Sequence, residues 1–282
     1  MSTVVFFHAH PDDEALASGG TMARMADEGH RVVLVVATRG EEGEPVPGVL
    51  AEGEALGDRR TSEVHEAASI LGVARVSFLD YRDSGMADHP ANDHPECFWQ
   101  ADTESAVDRL EEVLADEEVD VLVVYDSQGG YGHPDHIQVH RVGTRWVERE
   151  GTGGRTVRLR WVTMNRDVIR SSIDAAVAAA ATAEAAGEEI WSDEAMLELR
   201  RERAESDTFG MPDAEITHGV DVTSVLDRKR AAMRAHASQI ADDSFFLAMP
   251  DEAFAMSFGA EWYVDPGRPR DGGSQSDDLL LK

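Results

Sequence analysis

Short, continuously apolar runs alternate with helical patterns along the first 165 residues. A strand that is apolar throughout is buried on both faces, which is typical of a parallel sheet covered by helices. We therefore predict an α/β, Rossmann-like fold with a mostly parallel sheet and helices on both faces. The predicted strands are 4–7, 32–37, 76–79, 119–125 and 158–164, and the predicted helices are 14–28, 60–71, 103–117 and 136–148.

The pattern changes after residue 165. A short strand is predicted at 216–222, and helical patterns recur at 173–187, 193–206 and 224–238. Because no linker interrupts the chain, we predict a core with the metal site over 1–165 and a helical and short-strand elaboration over 166–264 packed on this core. The polar tail 265–282 is predicted to be disordered, and the segment 41–58, rich in Gly, Pro and Glu, to be a mobile flap.

Charge limits the partners of this chain. It carries 55 acidic and 26 basic residues, a formal charge of −29, and a field of that sign repels nucleic acid and anionic lipid surfaces. No run approaches the roughly 18 apolar residues of a membrane span, and no signal peptide is visible. The single cysteine, Cys97, fits a reducing compartment. We expect a cytoplasmic protein that acts on a small molecule and binds neither nucleic acid nor membranes.

Two clusters of titratable residues follow two of the predicted strands. The stretch HAHPDDE, residues 8–14, comes after the first strand, and YDSQGGYGHPDHIQVH, residues 125–140, begins at the end of the fourth. In open parallel sheets, ligands bind outside the carboxyl ends of the strands. Both clusters are therefore expected at one edge of the sheet, where they indicate a metal site.

The spacing within the clusters suggests which residues bind a metal. Catalytic zinc takes three protein ligands and keeps one position open for water. His10 and Asp13 lie three residues apart at a turn into a helix, and His136 of the second cluster can be the third ligand. Asp12 is then free to act as a base, and Asp135 could hold a histidine in one tautomer.

Other interpretations of these residues stay open. Acidic residues at 12–14 before an apolar helix are also ordinary N-cap and first-turn residues. His8 is expected to be a packed strand residue, whereas His218 and His236 could line a pocket. The chain could also be a non-catalytic Rossmann-like protein with a structural cation. The absence of GxGxxG after the first strand weakens a dinucleotide-binding function.

The motifs AHPDDE and GHPDH resemble those of the LmbE/PIG-L family of zinc-dependent N-acetylglucosaminyl deacetylases. The similarity covers about the first 145 residues, with a fainter match in RAHASQI, residues 234–240. The resemblance implies a Rossmann-like fold and removal of an acetyl group from an N-acetylglucosamine unit. It assigns zinc, or another divalent metal such as Fe²⁺, to His10, Asp13 and His136. It assigns the general base to Asp12.

The resemblance also gives roles to residues around this centre. It implies that His133 stabilises the oxyanion or protonates the amine, with Asp135 orienting it. Three further matches resemble the mycothiol-pathway deacetylase branch: Tyr131 as a mobile residue at the substrate carbonyl, Asp83 as a sugar contact and Arg60 near the inositol end. An Arg60–Asp83 surface ion pair without function is the alternative for the last two.

The sequence also departs from a related branch. The mycothiol S-conjugate amidases resemble this chain in the same motifs but carry a lysine just after the first one, where Ala17 and Ser18 stand here. We therefore expect metal-assisted hydrolysis of an N-acetylglucosaminyl amide, with the conjugate amidase as the main alternative. Zinc would lower the pKa of a water molecule and Asp12 would take its proton.

Overall fold

Seven strands form one sheet in the computed structural model, which describes residues 1–186, 198, 201–202, 205–268, 270 and 272–280. The strands are β1 (Thr3–His8), β2 (Arg31–Val36), β3 (Arg75–Phe78), β4 (Val119–Tyr125), β5 (Arg158–Thr163), β6 (His218–Asp221) and β7 (Ala260–Val264). Their order is β3-β2-β1-β4-β5-β7-β6. The strands β1 to β5 are parallel, and β7 runs antiparallel to both β5 and β6. The predicted mostly parallel, Rossmann-like α/β fold is confirmed.

Helices connect and cover these strands. They are α1 (Gly19–Asp27), α2 (Leu56–Leu71), α3 (Thr103–Leu114), the short turn α4 (Gly129–Gly132), α5 (Pro134–Thr152), α6 (Arg166–Ala186), α7 (Leu226–Ala235), α8 (Phe245–Ala248) and α9 (Asp251–Phe258). The apolar runs of β1, β2 and β4 are almost completely buried, as their continuous hydrophobicity predicts. The helix α2 packs against α7, and α3 packs against α5. Among the described residues, no helix is both long and apolar enough to span a membrane.

The first predicted helix, 14–28, is divided into two helical segments at residue 19. A π-helix covers Glu14–Ser18, and α1 then starts anew at Gly19. The carboxylate of Glu261, on β7, accepts hydrogen bonds from the backbone N–H groups of Gly20 and Thr21, both at 2.8 Å. A distant carboxylate therefore caps α1, which the local sequence could not reveal. π-helical turns are frequent at functional sites.

The C-terminal part extends the same sheet. The predicted strand at 216–222 is β6, and the predicted helix at 224–238 is the shorter α7. The strand β7 was not predicted, although it joins β5 to β6. The helix predicted at 193–206 falls largely outside the described residues.

The tail predicted to be disordered instead packs on the sheet over the part that the structure describes. Leu279 is fully buried in the main hydrophobic core. Ser276 donates its N–H to the Thr217 carbonyl and accepts from Gly219 N–H, both at 2.9 Å, and Asp277 pairs with Arg24 at 2.8 Å. The prediction was wrong because it followed the polar composition of this segment, whereas Leu279 and the partly buried Leu280 both pack on the hydrophobic core.

The segment predicted to be a flap contains no helix or strand over residues 41–55. Its first part is nevertheless attached to the site. Glu42 N–H donates to Asp83 Oδ2 at 3.1 Å, and Val46 N–H donates to the Ser238 carbonyl at 2.8 Å. Residues 51–53 are exposed. The mobility of this segment stays a prediction.

Leu279→Ala should lower the free energy of unfolding by about 2–3 kcal/mol, because it removes a fully buried side chain and leaves a cavity. Leu280→Ala, at the partly exposed neighbouring position, is the control and should cost less than half as much. Denaturant unfolding of both variants checks this. Equal stability of Leu279→Ala and the unchanged protein would mean that the tail is detached.

Candidate active site

The two motifs meet because β1 and β4 are hydrogen-bonded neighbours. The first motif leaves the carboxyl end of β1, and the second leaves the carboxyl end of β4 and enters α5 at Pro134. The strand order changes direction between these two strands, which is where open α/β sheets bind ligands. The imidazole rings of His10, His133 and His136 lie with their centroids 4.5–5.4 Å apart.

Asp13 lies between two of these histidines. Its Oδ2 is 3.4 Å from His10 Nδ1 and 3.4 Å from His136 Nε2. Ligand atoms of a tetrahedral zinc site with bonds of about 2.0–2.1 Å lie roughly 3.4 Å apart. The pKa of Asp13 falls well below its usual range, because the two histidines outweigh the opposite effect of burial. Asp13 therefore presents one ionised oxygen to a nitrogen of His10 and to a nitrogen of His136.

The ring of His136 is oriented so that its Nε2 faces Asp13. Its Nδ1 lies 3.1 Å from the Gly129 carbonyl, which only accepts, so Nδ1 carries the proton. Its Nε2 is buried and makes no hydrogen bond to any described residue. Gly129 has φ of 65°, and a Cβ there would lie 2.7 Å from the Cβ of His136. Tyr125 stacks on the other face of the ring, with centroids 4.1 Å apart.

The carboxylate of Asp135 orients His10, whereas Asp135 meets His133, the histidine it was predicted to orient, through its backbone N–H. His10 Nε2 lies 3.2 Å from Asp135 Oδ2, so its Nδ1 faces Asp13. Asp135 is fully buried and also accepts from the backbone N–H and the hydroxyl of Ser84. The carboxylate reaches across to the β1 loop because β1 and β4 are adjacent, which sequence proximity to His133 could not indicate. Such a carboxylate–histidine pair fixes the ligating nitrogen.

These residues fit a divalent metal. An unpartnered, buried nitrogen on His136 and an ionised oxygen on Asp13 are the donors that zinc prefers. The groups of described residues whose ligand atoms all lie within 4.8 Å of one another are His10–His133–His136 and His10–Asp83–Asp135, and the predicted set with Asp13 is not one of them. Burial lowers the pKa of His10, but Asp83, Asp13 and Asp135 together raise it well above its usual value. Metal binding at His10 Nδ1 would therefore release a proton and weaken at low pH.

Asp12 is held in a strained backbone conformation beside these ligands. Its φ of 112° lies in a region that favours glycine. Its Oδ1 is 3.3 Å from Arg60 Nη2, and its backbone N–H donates to Glu14 Oε2 at 3.0 Å. Burial raises the pKa of Asp12 to about 6, although the Arg60 charge lowers it and the Asp13 charge raises it. A carboxylate with that pKa is suited to accept a proton near neutral pH.

His133 is a neutral hydrogen-bond donor in this geometry. The backbone N–H of Asp135 donates to its Nδ1 at 3.1 Å, which leaves the ring proton on Nε2. Burial, followed by the charges of His10 and His136, lowers the pKa of His133 to about 2. Between the two roles that the sequence left open, the neutral ring favours stabilisation of an oxyanion over donation from an imidazolium.

The structure separates the two residues expected to contact the sugar. Arg60 is buried and donates to the carbonyls of Gly40 and Pro11 as well as facing Asp12. Asp83 is also buried, and its Oδ1 lies 3.5 Å from His10 Nε2. The alternative of an Arg60–Asp83 surface ion pair is therefore wrong, because each residue has its own buried partners.

A cleft of about 360 Å³ opens beside two of the predicted metal ligands, Asp13 and His136. Asp12, Asp13, His136 and Tyr131 contribute to its lining. Tyr131 is 38% exposed, and the backbone at Gly130 and Tyr131 is not helical, so the loop between the motif glycines presents this ring to solvent. Most of the remaining lining is apolar, formed by Met164, Val168, Ile169, Phe209, Phe246, Met256, Phe258 and Trp262.

Several residues of the site were not found from the sequence. Tyr125 was assigned only as a strand residue, yet its hydroxyl lies 3.0 Å from His8 Nδ1 and it supports His136. Its position directly before the second motif was the available signal. His8 is buried, as predicted for a packed strand residue. Neither His218 nor His236 lines the cleft; His236 instead lies behind it, bonded to Glu14.

Comparison with known proteins agrees with this geometry. Residues 5–147, which carry both motifs, match the family described as PIG-L: GlcNAc-PI de-N-acetylase. The chain belongs to this family. Its membership places it among N-deacetylases, hydrolases of C–N bonds other than peptide bonds.

Relatives match over nearly the whole chain. The 1D-myo-inositol 2-acetamido-2-deoxy-α-D-glucopyranoside deacetylase of Acidothermus cellulolyticus is 42% identical over 94% of this chain and 88% of its own. A solved deacetylase of the teicoplanin biosynthesis pathway is 15% identical, with a TM-score of 0.58 over 96% of this chain and all of that one. GalB, a 4-carboxy-2-hydroxymuconate hydratase from Pseudomonas putida KT2440, is 19% identical, with a TM-score of 0.57 over 98% of this chain and all of that one. The fold alone therefore does not decide the reaction.

His136→Ala should lose metal and activity together, because it removes a ligand nitrogen. The loss of metal affinity should exceed the roughly 10–100-fold that loss of an outer hydrogen-bond partner costs. His140→Gln, one helical turn further along α5, is the control and should keep both. Metal content after dialysis and acetate release check this. Full metal stoichiometry in His136→Ala would remove it from the ligand set.

Asp12→Asn should keep the metal and lower kcat about 10²–10⁴-fold, because positioned proton transfer contributes that much. Since a base works only when ionised and burial raises the pKa of Asp12 to about 6, activity should fall as the pH drops. A bound dication would lower that pKa, which places the acid limb of kcat/KM at or below about pH 6. Metal loss from Asp12→Asn would make Asp12 a ligand instead.

Proposed function

We propose that this protein removes the acetyl group from 1D-myo-inositol 2-acetamido-2-deoxy-α-D-glucopyranoside, with Zn²⁺ as its metal. The observation that carries this proposal is Asp13 Oδ2, placed 3.4 Å from one nitrogen each of His10 and His136. The substrate follows from the relative of Acidothermus cellulolyticus, which is 42% identical and is named for this reaction.

His10, Asp13 and His136 would hold the metal. When bound there, Zn²⁺ supplies Lewis-acid chemistry that polarises a carbonyl and makes water more acidic. Asp12 accepts the proton of the attacking water, since its carboxylate lines the cleft next to Asp13. The same residue, once protonated, can return that proton to the amide nitrogen as the C–N bond breaks. The products are acetate and a free amino sugar.

The oxygen of the reacting carbonyl needs donors as negative charge develops on it. His133 supplies Nε2–H as a neutral ring, and a donor that is already oriented stabilises an oxyanion without reorganisation. Tyr131 supplies a hydroxyl from a loop whose conformation depends on glycines, with its ring 6.3 Å from that of His133. The two side chains are therefore complementary: His133 is fixed by α5, and Tyr131 can adjust to the bound substrate.

The polar wall of the site would bind the sugar. Asp83 accepts hydrogen bonds from Glu42 N–H and Gly85 N–H, and a buried carboxylate of this kind can also accept from sugar hydroxyls. Arg60 would act near the inositol end only through a small rearrangement, because its guanidinium already donates to two carbonyls. Its present contacts support Asp12 more directly than they support a substrate.

A second candidate activity is hydrolysis of a larger amide, as in mycothiol S-conjugates. The apolar lining of the cleft favours it, because an acetyl methyl group fills little of about 360 Å³. A conjugate with a bulky apolar group would bury more of Phe209, Met256 and Phe258. Comparing kcat/KM on the acetamide with that on such a conjugate separates the two.

We also infer a cytoplasmic location and small-molecule substrates alone. A single, buried cysteine supports a reducing compartment. The net charge of −29 disfavours nucleic acid and anionic membrane surfaces as partners.

Metal-loaded protein should release acetate from the inositol-linked N-acetylglucosamine, and Asp83→Asn should lower kcat/KM on it about 10–100-fold, the cost of a hydrogen bond to a charged group. A minimal acetamide should lose far less, because it lacks the sugar hydroxyls. Asp80→Asn, whose exposed carboxylate pairs with Arg39, is the control and should change neither.

No acetate release by the unchanged, metal-loaded protein would refute the proposed reaction. An equal loss on both substrates in Asp83→Asn would mean that Asp83 acts on His10 rather than on the sugar.

A further inference from the structure

The segment RAHASQI, residues 234–240, meets the first motif directly. It begins in the last turn of α7 and continues beyond it, and its His236 is fully buried against Glu14, which is also fully buried. His236 Nε2 lies 2.5 Å from Glu14 Oε1, and the other carboxylate oxygen, Oε2, accepts the backbone N–H of Asp12 at 3.0 Å. A chain of two hydrogen bonds therefore runs from the C-terminal part to the backbone of the proposed base.

The same segment also contacts the helix that carries Arg60, the side-chain partner of Asp12. Ser238 donates its backbone N–H and its hydroxyl to the carboxylate of Glu63, at 2.9 and 2.6 Å. Glu63 lies on α2, three residues after Arg60, whose Nη2 is 3.3 Å from Asp12 Oδ1. His236 therefore reaches the peptide N–H of Asp12 through Glu14, and Ser238 contacts α2, the helix that carries Arg60.

The backbone of Asp12 requires such support. A non-glycine residue with φ of 112° persists only where surrounding contacts impose that conformation. The turn at Pro11–Asp12 directs the two adjacent carboxylates to different neighbours. Asp13 faces the histidines, and Asp12 faces Arg60. If the turn relaxed, the carboxylate of Asp12 would move, whereas the contacts of His136 with Gly129 and Tyr125 would stay in place.

A histidine at position 236 has an energetic cost, because one of its ring nitrogens is left without a hydrogen bond to any residue that the structure describes. Its second nitrogen, Nδ1, is buried and has no hydrogen-bond partner among the described residues. A residue selected only to fill the core would not leave a polar atom unsatisfied there. The hydrogen bond to Glu14 is therefore the contact that accounts for a histidine at this position.

We propose that His236 and Glu14 are positioning residues for Asp12: their buried pair holds the strained turn that directs its carboxylate into the cleft. This inference rests on the proposed role of Asp12 as the general base. Neither residue touches the substrate in this arrangement, so both act through the geometry of Asp12 alone.

Two substitutions with the same chemistry test the pair. The amide of His236→Gln can place an N–H near the position of Nε2, whereas the amide of His236→Asn is too short to reach Glu14. We expect His236→Asn to lower kcat about 10–100-fold, since a displacement of about 1 Å can cost 10²-fold, with KM and metal content unchanged. His236→Gln should restore kcat to within about 3-fold. His218→Gln, a buried histidine on β6, is the control and should leave kcat unchanged.

A double-mutant cycle shows whether the effect passes through Asp12. In an Asp12→Asn background, His236→Asn should cause no further loss, because the group that it positions is already gone. The substrate is the inositol-linked N-acetylglucosamine, and kcat is counted per bound metal.

The possible results are distinct. Equal loss in both backgrounds, or an unchanged kcat in His236→Asn, would overturn the positioning role. A normal kcat in Asp12→Asn alone would instead overturn the base assignment in the proposed function, and the inference with it.

Discussion

The hydrogen bonding of β1 to β4 is the constraint on which the site depends. It places residues 10–13 and 133–136 side by side, although more than 100 positions separate them in the chain. Asp135 can orient His10 across this boundary, and Asp13 can face His136, because each loop leaves the same edge of the sheet. Any other order of these two strands would leave two separate, incomplete sets of ligands. The buried apolar faces of both strands fix that order energetically.

Charge balance within the site explains why so many carboxylates are buried together. His10 faces Asp13, Asp83 and Asp135, and the carboxylates raise its pKa while it and His136 lower that of Asp13. A divalent cation at this group would add further positive charge beside the carboxylates. Asp12 has a different environment, since its partner is Arg60 rather than a ligand histidine. Two adjacent aspartates thereby acquire different roles, because one backbone turn points them at different neighbours.

The cleft combines two recognition surfaces around this centre. Asp12, Asp13 and His136 contribute polar groups to its lining, whereas Phe209, Met256 and Phe258 contribute apolar ones. A hydratase shares the fold at 19% identity, so chemistry in this architecture is set by the loops and not by the sheet. In this chain, the C-terminal part contributes residues to the lining of the cleft. It also contacts the first motif, through the hydrogen bond of His236 to Glu14.

The sequence by itself determined the parallel strands of the sheet and the candidate metal ligands. Apolar periodicity and motif spacing are local properties, so they can be recognised without the tertiary structure. It also gave the family, since AHPDDE and GHPDH are local as well. Only the tertiary structure decided which partners these residues have. The carboxylate of Asp135 orients His10, Glu261 caps α1, and Leu279 anchors a polar tail. Each of these contacts joins residues that are distant in sequence. These pairings cannot be predicted from composition, because they form only when strand order and packing bring distant residues into contact.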